Sequence, residues 1–352
     1  MADILVVGAG VVGASIAYHA ARRGAAVTLV DRGSPASGVT GGSFAWIGGA
    51  SGDWPGGSED LRGAILDDFH RFESEVAGVQ VRWTGSLSWR DIPVRPGDEG
   101  TAPGPDRQVL DASQIATLEP HLREPPQQAI HLPTDGGVDP SRITLALVQA
   151  ARDHGAEVVL DTPVLSVERV RGRVVGVRCA DGRREAATVV LAAGTTVPAL
   201  CAPLGLDIPV AASPALLLHA QAPSGMVRTV VATQDFEVRE VTDGHLVMTA
   251  PLGHDTTTPT LERIARRTVD HVASTFDGGD QVRLVGHRLG RRPMPRNGPV
   301  IGEHPSVPGL YIAVMHSAIC LAPTVGRLVA EELVGQRTVD QLARCRPELS
   351  TG

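Results

Sequence analysis

An α/β fold is predicted for this 352-residue chain, with a parallel sheet in one domain and an antiparallel sheet in a second domain interleaved with it. Three observations carry the prediction. Residues 4–7 (ILVV) are short, apolar and β-branched, as buried parallel strands are, and they run straight into Gly8-x-Gly10-x-x-Gly13 and the helical stretch Ala14–Arg23. A second strand pattern, Val27–Val30, then ends in Asp31, which completes a β-α-β unit with a right-handed crossover. Far down the chain, residues 208–250 alternate in period two, the pattern of antiparallel strands.

The remaining elements follow in order. Gly24 closes the first helix as its left-handed terminal residue. Residues 33–60 are rich in Gly and Ser and read as loop, with a helix from about Glu59 to Val76. Strand-like pieces at Val81–Trp83 and Ser86–Trp89 lead out of the first domain, and the Pro/Gly-rich residues 93–106 read as a surface excursion. Asp111 and Gln114 have capping-box spacing for a short helix. From Asp135 a turn, a helix and a strand return to the parallel sheet. Val164–Arg169, Arg173–Cys179 and Arg183–Ala186 resemble a meander, and Val189–Leu191 re-enters the parallel sheet. Leu261–Phe276 reads as a helix, and residues 299–334 as a strand, a loop and a last helix of the first domain.

Composition narrows the function. A formal charge of −7 argues against a nucleic-acid partner, which requires a cationic face for counterion release. No apolar run reaches the roughly 18 residues of a membrane span, and Met1-Ala2-Asp3 leads into a strand without a signal-peptide pattern. Cys179, Cys201, Cys320 and Cys345 have no metal-ligand spacing, so no metal site is expected and the thiols fit a reducing cytoplasm. The chain holds 32 basic residues, all arginine, so no lysine Schiff base or lysine general base exists here.

In the glycine motif, the first glycine permits a tight turn, the second lets backbone approach a pyrophosphate, and the third lets helix and strand pack closely. The N-terminus of the helix then offers free N–H groups and a positive dipole end to phosphate. Asp31, 18 positions beyond Gly13, suits the ribose hydroxyls of an adenosine and disfavours a 2′-phosphate, hence NADP. The motif by itself does not separate FAD from NAD.

Those residues do not stand alone. The loop Ser37–Trp46, the segment Asp135–Arg142, the run Ala187–Gly194, the stretch Arg292-Pro293-Met294-Pro295 with Pro299–Gly302, and His316–Pro323 together with Gly8–Asp31 resemble, in order and over nearly the whole chain, the D-amino-acid oxidase/glycine oxidase/sarcosine oxidase superfamily. The resemblance implies a Rossmann-type FAD-binding domain (1–80, 135–205 and 287–345) interleaved with an antiparallel-sheet (α+β) substrate domain (81–134 and 206–286). It implies FAD held by Gly8, Gly10, Val11, Val12 and Gly13, with Asp31 and Arg32 at the ribose. Thr40, Gly41, Gly42 and Ser43 would lie along the pyrophosphate and ribityl chain, Val164 at adenine, and Ala193-Gly194 beneath the dinucleotide. Ser317, Ala318, Ile319 and Cys320 would line the flavin ring, with the last helix aiming its N-terminus at the pyrimidine side.

On the substrate side the resemblance implies Arg292 as a carboxylate clamp, a task suited to a forked guanidinium; an ordinary surface or ion-pair arginine is the other reading. His316 stands where glycine oxidase has a further arginine, and reads as a polar partner or base at the flavin edge, or as a hydrogen-bonded loop histidine. Cys320 stands where sarcosine oxidase has a lysine. Trp46 is a pocket wall or core packing, and Arg239 a second substrate contact. Residues 290–298 lack the cysteine that links flavin in sarcosine-type enzymes, so FAD is expected to be non-covalent.

The implied activity is oxidation of a C–N bond in a small amine or amino acid, with O2 or another acceptor taking the electrons. A dehydrogenase with a non-oxygen acceptor, oxidation of a 2-hydroxy acid, and a non-catalytic flavin-binding subunit are the alternatives.

Overall fold

The computed structural model describes residues 2–49, 53–89 and 107–348; the excursion expected at 93–106 lies outside them. Strand β1 (Asp3–Val7), helix α1 (Val11–Arg22) and strand β2 (Ala26–Val30) form the expected β-α-β unit. β1 sits inside a six-stranded sheet, flanked by β2 and Thr188–Leu191; Glu157–Val159 lies beyond β2, and Leu310–Val314 then Val300–Glu303 lie on the other side. Every pairing in this sheet is parallel except the last, Val300–Glu303 against Leu310–Val314. One face is covered by α1, the helix Pro140–Asp153 and the last helix, Ala318–Gly335. The other carries the three-stranded meander Val164–Val170, Arg173–Cys179 and Gly182–Glu185.

An eight-stranded sheet forms the second body, running from Arg283–Pro295 through Val210–Gln221, His245–Thr249, Glu237–Thr242, Val230–Ala232, Ser86–Ser88 and Gln128–Leu132 to Gln108–Asp111. Leu216, Leu218, Ala220, Val238, Leu246 and Met248 on one face pack against Leu261, Ala265, Val272 and Phe276 of the helix Thr258–Thr275 or its end. The opposite face turns toward the first body.

Three expectations need correction. The helix expected from Glu59 to Val76 is two helices, Ser58–Arg62 and Ile65–Glu75, which part at Gly63, a poor helix former. The strand expected at Val81–Trp83 is reduced to one bridge, Arg82 to Gly137. The boundary expected at residue 287 falls inside the strand Arg283–Pro295, which pairs along its length with Val210–Gln221; the chain leaves the antiparallel sheet only after Pro295.

Candidate functional site

A cavity of about 890 Å³ opens at the carboxyl ends of β1 and β2, within the size range of small-molecule and cofactor sites. Its floor is the glycine turn. Gly8 has φ +109°, and a Cβ there would sit 2.6 Å from the Ala192 carbonyl oxygen; at Gly13 it would sit 1.9 Å from the Gly8 carbonyl oxygen. Only glycine permits this turn beneath this helix. The α1 N-cap is Gly10, which has no side chain to offer, and the hydroxyl of Thr40 instead accepts the Val11 N–H at 3.2 Å. Asp31 closes the far side: its carboxylate accepts the Ala9 N–H at 2.6 Å and the Gly33 N–H at 2.9 Å, which leaves one lone pair on each oxygen.

Of the residues expected at a dinucleotide, Gly8, Gly10, Val11, Val12, Asp31, Arg32, Thr40, Val164, Ala193, Gly194 and Ala318 line this cavity. Gly13 lies beneath it. Gly41 and Gly42 pack against Arg288, and the Ser43 hydroxyl accepts the Ala45 N–H at 3.2 Å. Arg288 and Arg291, of the strand Arg283–Pro295, also line the wall and were not anticipated. Their signal was present as a cluster of arginines in 288–292, with nothing in the sequence to say which of them reach the cavity.

Cross-strand partners share a face of a sheet. Arg292 lies opposite Ser213, Gly290 opposite Ala215, Arg288 opposite Leu217, and Thr249 opposite both Leu217 and Glu237. Gly290 would carry a Cβ 3.3 Å from Val39, so this face looks onto the loop that follows β2. Arg292 is exposed and donates to the Ser213 hydroxyl at 3.0 Å. Near it stands His316, whose Nδ1 is 3.4 Å from the Ser317 hydroxyl. Burial and the Arg292 guanidinium both push the His316 imidazole below its ordinary value, with Asp53 opposing. Its neutral form is therefore favoured. Ser317 begins the last helix in the left-handed conformation, φ +56°, a strain of order 1–3 kcal/mol that a non-glycine residue tolerates only where the surroundings enforce it.

Beside these residues lies a largely buried network. The Asp135 carboxylate accepts the Trp46 indole N–H at 2.8 Å and the Ser86 hydroxyl at 2.7 Å, while its other oxygen has no partner. Burial raises it to about 6. Cys320, buried and pushed up to about 11 chiefly by desolvation, donates to the Trp46 carbonyl at 3.1 Å. Of the expected site residues, Trp46, Arg292, His316, Ser317, Ile319 and Cys320 are absent from the cavity wall. Arg239 is enclosed as well: it donates to the carbonyls of Phe44 at 2.7 Å and Val138 at 2.6 Å, one guanidinium nitrogen has no partner, and desolvation lowers it to about 9. Its guanidinium faces the Phe44 ring at 5.4 Å. It holds backbone.

The residues present fit a flavin dinucleotide. Among the residues on the cavity wall Asp31 is the single carboxylate, against Arg32, Arg288 and Arg291, with the donors of the α1 N-terminus beside them. No cysteine or histidine lines the wall, so nothing there forms a covalent link to flavin.

Fold and site define a dinucleotide-binding flavoprotein. The sequence profile of the FAD dependent oxidoreductase family, DAO, matches residues 3–332, and the chain belongs to that family. It is an enzyme that uses FAD. A glycine oxidase of Bacillus licheniformis is 28% identical over 353 residues, covering 95% of this chain and 93% of the relative. The solved structure of glycine oxidase from Bacillus cereus aligns over 100% of both chains with a TM-score of 0.83 and 20% identity. L-amino acid deaminase from Proteus vulgaris aligns over 98% of this chain and 93% of its own, with a TM-score of 0.84 and 18% identity. At such identity these two structures speak for the fold alone. Among the described residues no helix is long and apolar enough to cross a membrane.

Proposed function

We propose that this enzyme oxidises the C–N bond of a small amino acid or amine bearing one carboxylate. The observation that carries the reading is the pairing of an exposed guanidinium, Arg292, with a neutral imidazole, His316, beside the N-terminus of the last helix. Glycine oxidase among the similar proteins supports it.

Gly8–Val12 and the α1 N-terminus would hold the pyrophosphate of FAD, Asp31 and Arg32 its ribose, and Val164 its adenine. Bound FAD supplies a two-electron acceptor for the hydride on the carbon next to nitrogen, leaving an imine that water hydrolyses. Arg292 grips the carboxylate in its planar fork and so fixes the direction of the C–H bond. An ammonium group cannot give up hydride, so its proton must leave first. Neutral His316, its Nδ1 turned to Ser317, offers Nε2 to take that proton. The dipole of the last helix favours negative charge at its N-terminus.

The test is anaerobic titration of the purified yellow protein with a panel of amino acids and amines. Bleaching of the visible flavin band with stoichiometric release of ammonia or amine is expected; bleaching by 2-hydroxy acids alone would overturn the reading. A dehydrogenase that passes electrons to another acceptor is the second reading, favoured by the absence of any lysine to assist O2. A reduced flavin that stays bleached for minutes in air would select it.

A further inference from the structure

We propose that Arg288, a residue of the substrate-side sheet, straps the loop after β2 and binds the pyrophosphate of FAD, so that the cofactor is held by both bodies of the molecule. The inference rests on the cavity being the FAD site and goes beyond it by naming a phosphate ligand outside the glycine motif.

Four observations converge on it. Arg288 lines the same cavity as Gly8, Gly10 and Val11. One terminal nitrogen, Nη2, donates to the carbonyl of Gly38 at 2.9 Å and to that of Ser37. The guanidinium then passes over the next turn of the loop: a Cβ at Gly41 would fall 3.1 Å from Nη1, and one at Gly42 would fall 3.4 Å from Cδ. Finally, among the described residues Nε and Nη1 have no acceptor, and no carboxylate pairs with this side chain.

A guanidinium has five N–H donors in a fixed fork. Here part of the fork anchors the side chain to backbone, and the rest is without a partner at the edge of a cavity whose floor is a phosphate-binding turn. A cation anchored in this way has already lost much of its rotamer freedom, which favours a bidentate contact with a phosphate oxygen pair. Charge points the same way: Asp31 balances only one of the three guanidinium groups on the wall, and a diphosphate carries the complementary charge. Arg239 is the instructive contrast. It too donates to two carbonyls, but it is buried and does not line this cavity.

Because Arg288 and Arg292 stand on one face of one strand, four residues apart, that strand would span from the phosphates toward the reacting end, about 13 Å at the rise of an extended chain.

The experiment measures dissociation constants of FAD, ADP and adenosine for the full chain stripped of flavin, comparing wild type with Arg288→Met and Arg288→Lys and using thermal midpoints to verify folding. Arg288→Met is expected to weaken FAD and ADP about 10- to 100-fold, to leave adenosine within about twofold, and to flatten the salt dependence of ADP binding. Arg288→Lys, which keeps the charge and loses the fork, is expected to recover part of the loss. Should Arg288→Met fail to fold, Arg288→Gln takes its place as the neutral variant. FAD and ADP constants within twofold of wild type would overturn the inference. So would an equal loss for adenosine, since that leaves Arg288 as a strap only. A wild-type chain that binds no FAD would instead bring down the cofactor assignment and this inference with it.

Discussion

At the Gly8–Gly13 end of the cavity the working groups are backbone: N–H donors of a helix start, a carbonyl 1.9 Å from where a Cβ would be, and one carboxylate on two main-chain N–H groups. Around Arg292 and His316, which lie off the cavity wall, they are side chains, one on a strand paired with Val210–Gln221 and one just before the last helix. A backbone site is specified by which residues are small, and tolerates no substitution there. A side-chain site can be rewritten residue by residue on an unchanged frame.

The largest expected effect tests the backbone end. Gly13→Val places carbon against the Gly8 carbonyl, with no flexible neighbour to yield. A loss of more than about 4 kcal/mol of stability is expected, with flavin absent from the purified protein. A variant that retains a normal ratio of flavin to protein absorbance would show that the turn is not as rigid as described.

At the other end, Asp135 is expected to be a stability liability at neutral pH. Its folded value of about 6 lies above the ordinary carboxyl value of 3.8, so the folded state binds more protons between those limits. The penalty is absent below about pH 4, grows as pH rises through 6, and reaches up to roughly 3 kcal/mol above it. Asp135→Asn keeps an acceptor for Trp46 and Ser86 and carries no charge. Its stability relative to wild type should therefore rise between pH 4.5 and 7.5 in urea denaturation; a difference independent of pH would mean that Asp135 is not held protonated by burial.

Arg292 and Arg239 divide stability from activity within that same end. Arg292→Gln is expected to lower kcat/KM for amino acids by about 10²-fold, the worth of a bidentate charge-assisted pair, and to leave flavin content and Tm unchanged. Arg239→Gln is expected to lower Tm, since two buried carbonyls lose their donor. The reverse pattern, with Arg239 controlling kcat/KM and Arg292 silent, would move the carboxylate site.

Legibility followed the same division. The glycine turn, both strands around α1, Asp31 and the capping box at Asp111 were readable because each depends on residues within a few positions of one another. Arg239 was not. It was expected in the substrate pocket, and its enclosure depends on carbonyls at Phe44 and Val138, brought together from 195 and 101 residues away. Arg288 escaped notice for a related reason: in the stretch 288–292 three arginines look alike in the sequence, and only the folded chain brings Arg288 over the loop that follows β2. The end of the substrate sheet at Pro295 was equally hidden, because a Pro-rich stretch reads as a loop unless its partner strand is known.

The smallest expected effect concerns the proton. Burial and the neighbouring Arg292 hold the His316 imidazole below its ordinary value, so the neutral base is favoured at neutral pH and is lost as pH falls through that lowered value. The kcat/KM profile for an amino-acid substrate should show an acid limb below pH 6.5, and His316→Asn should flatten it while lowering the plateau about tenfold. Arg292→Gln supplies the sharper reading. Removing that guanidinium takes away one of the two causes of the lowering, so the limb should move to higher pH even though the histidine itself is untouched. A limb that survives in His316→Asn, or that stays in place in Arg292→Gln, would show that the titrating base is another group and that the two side chains do not act on one substrate.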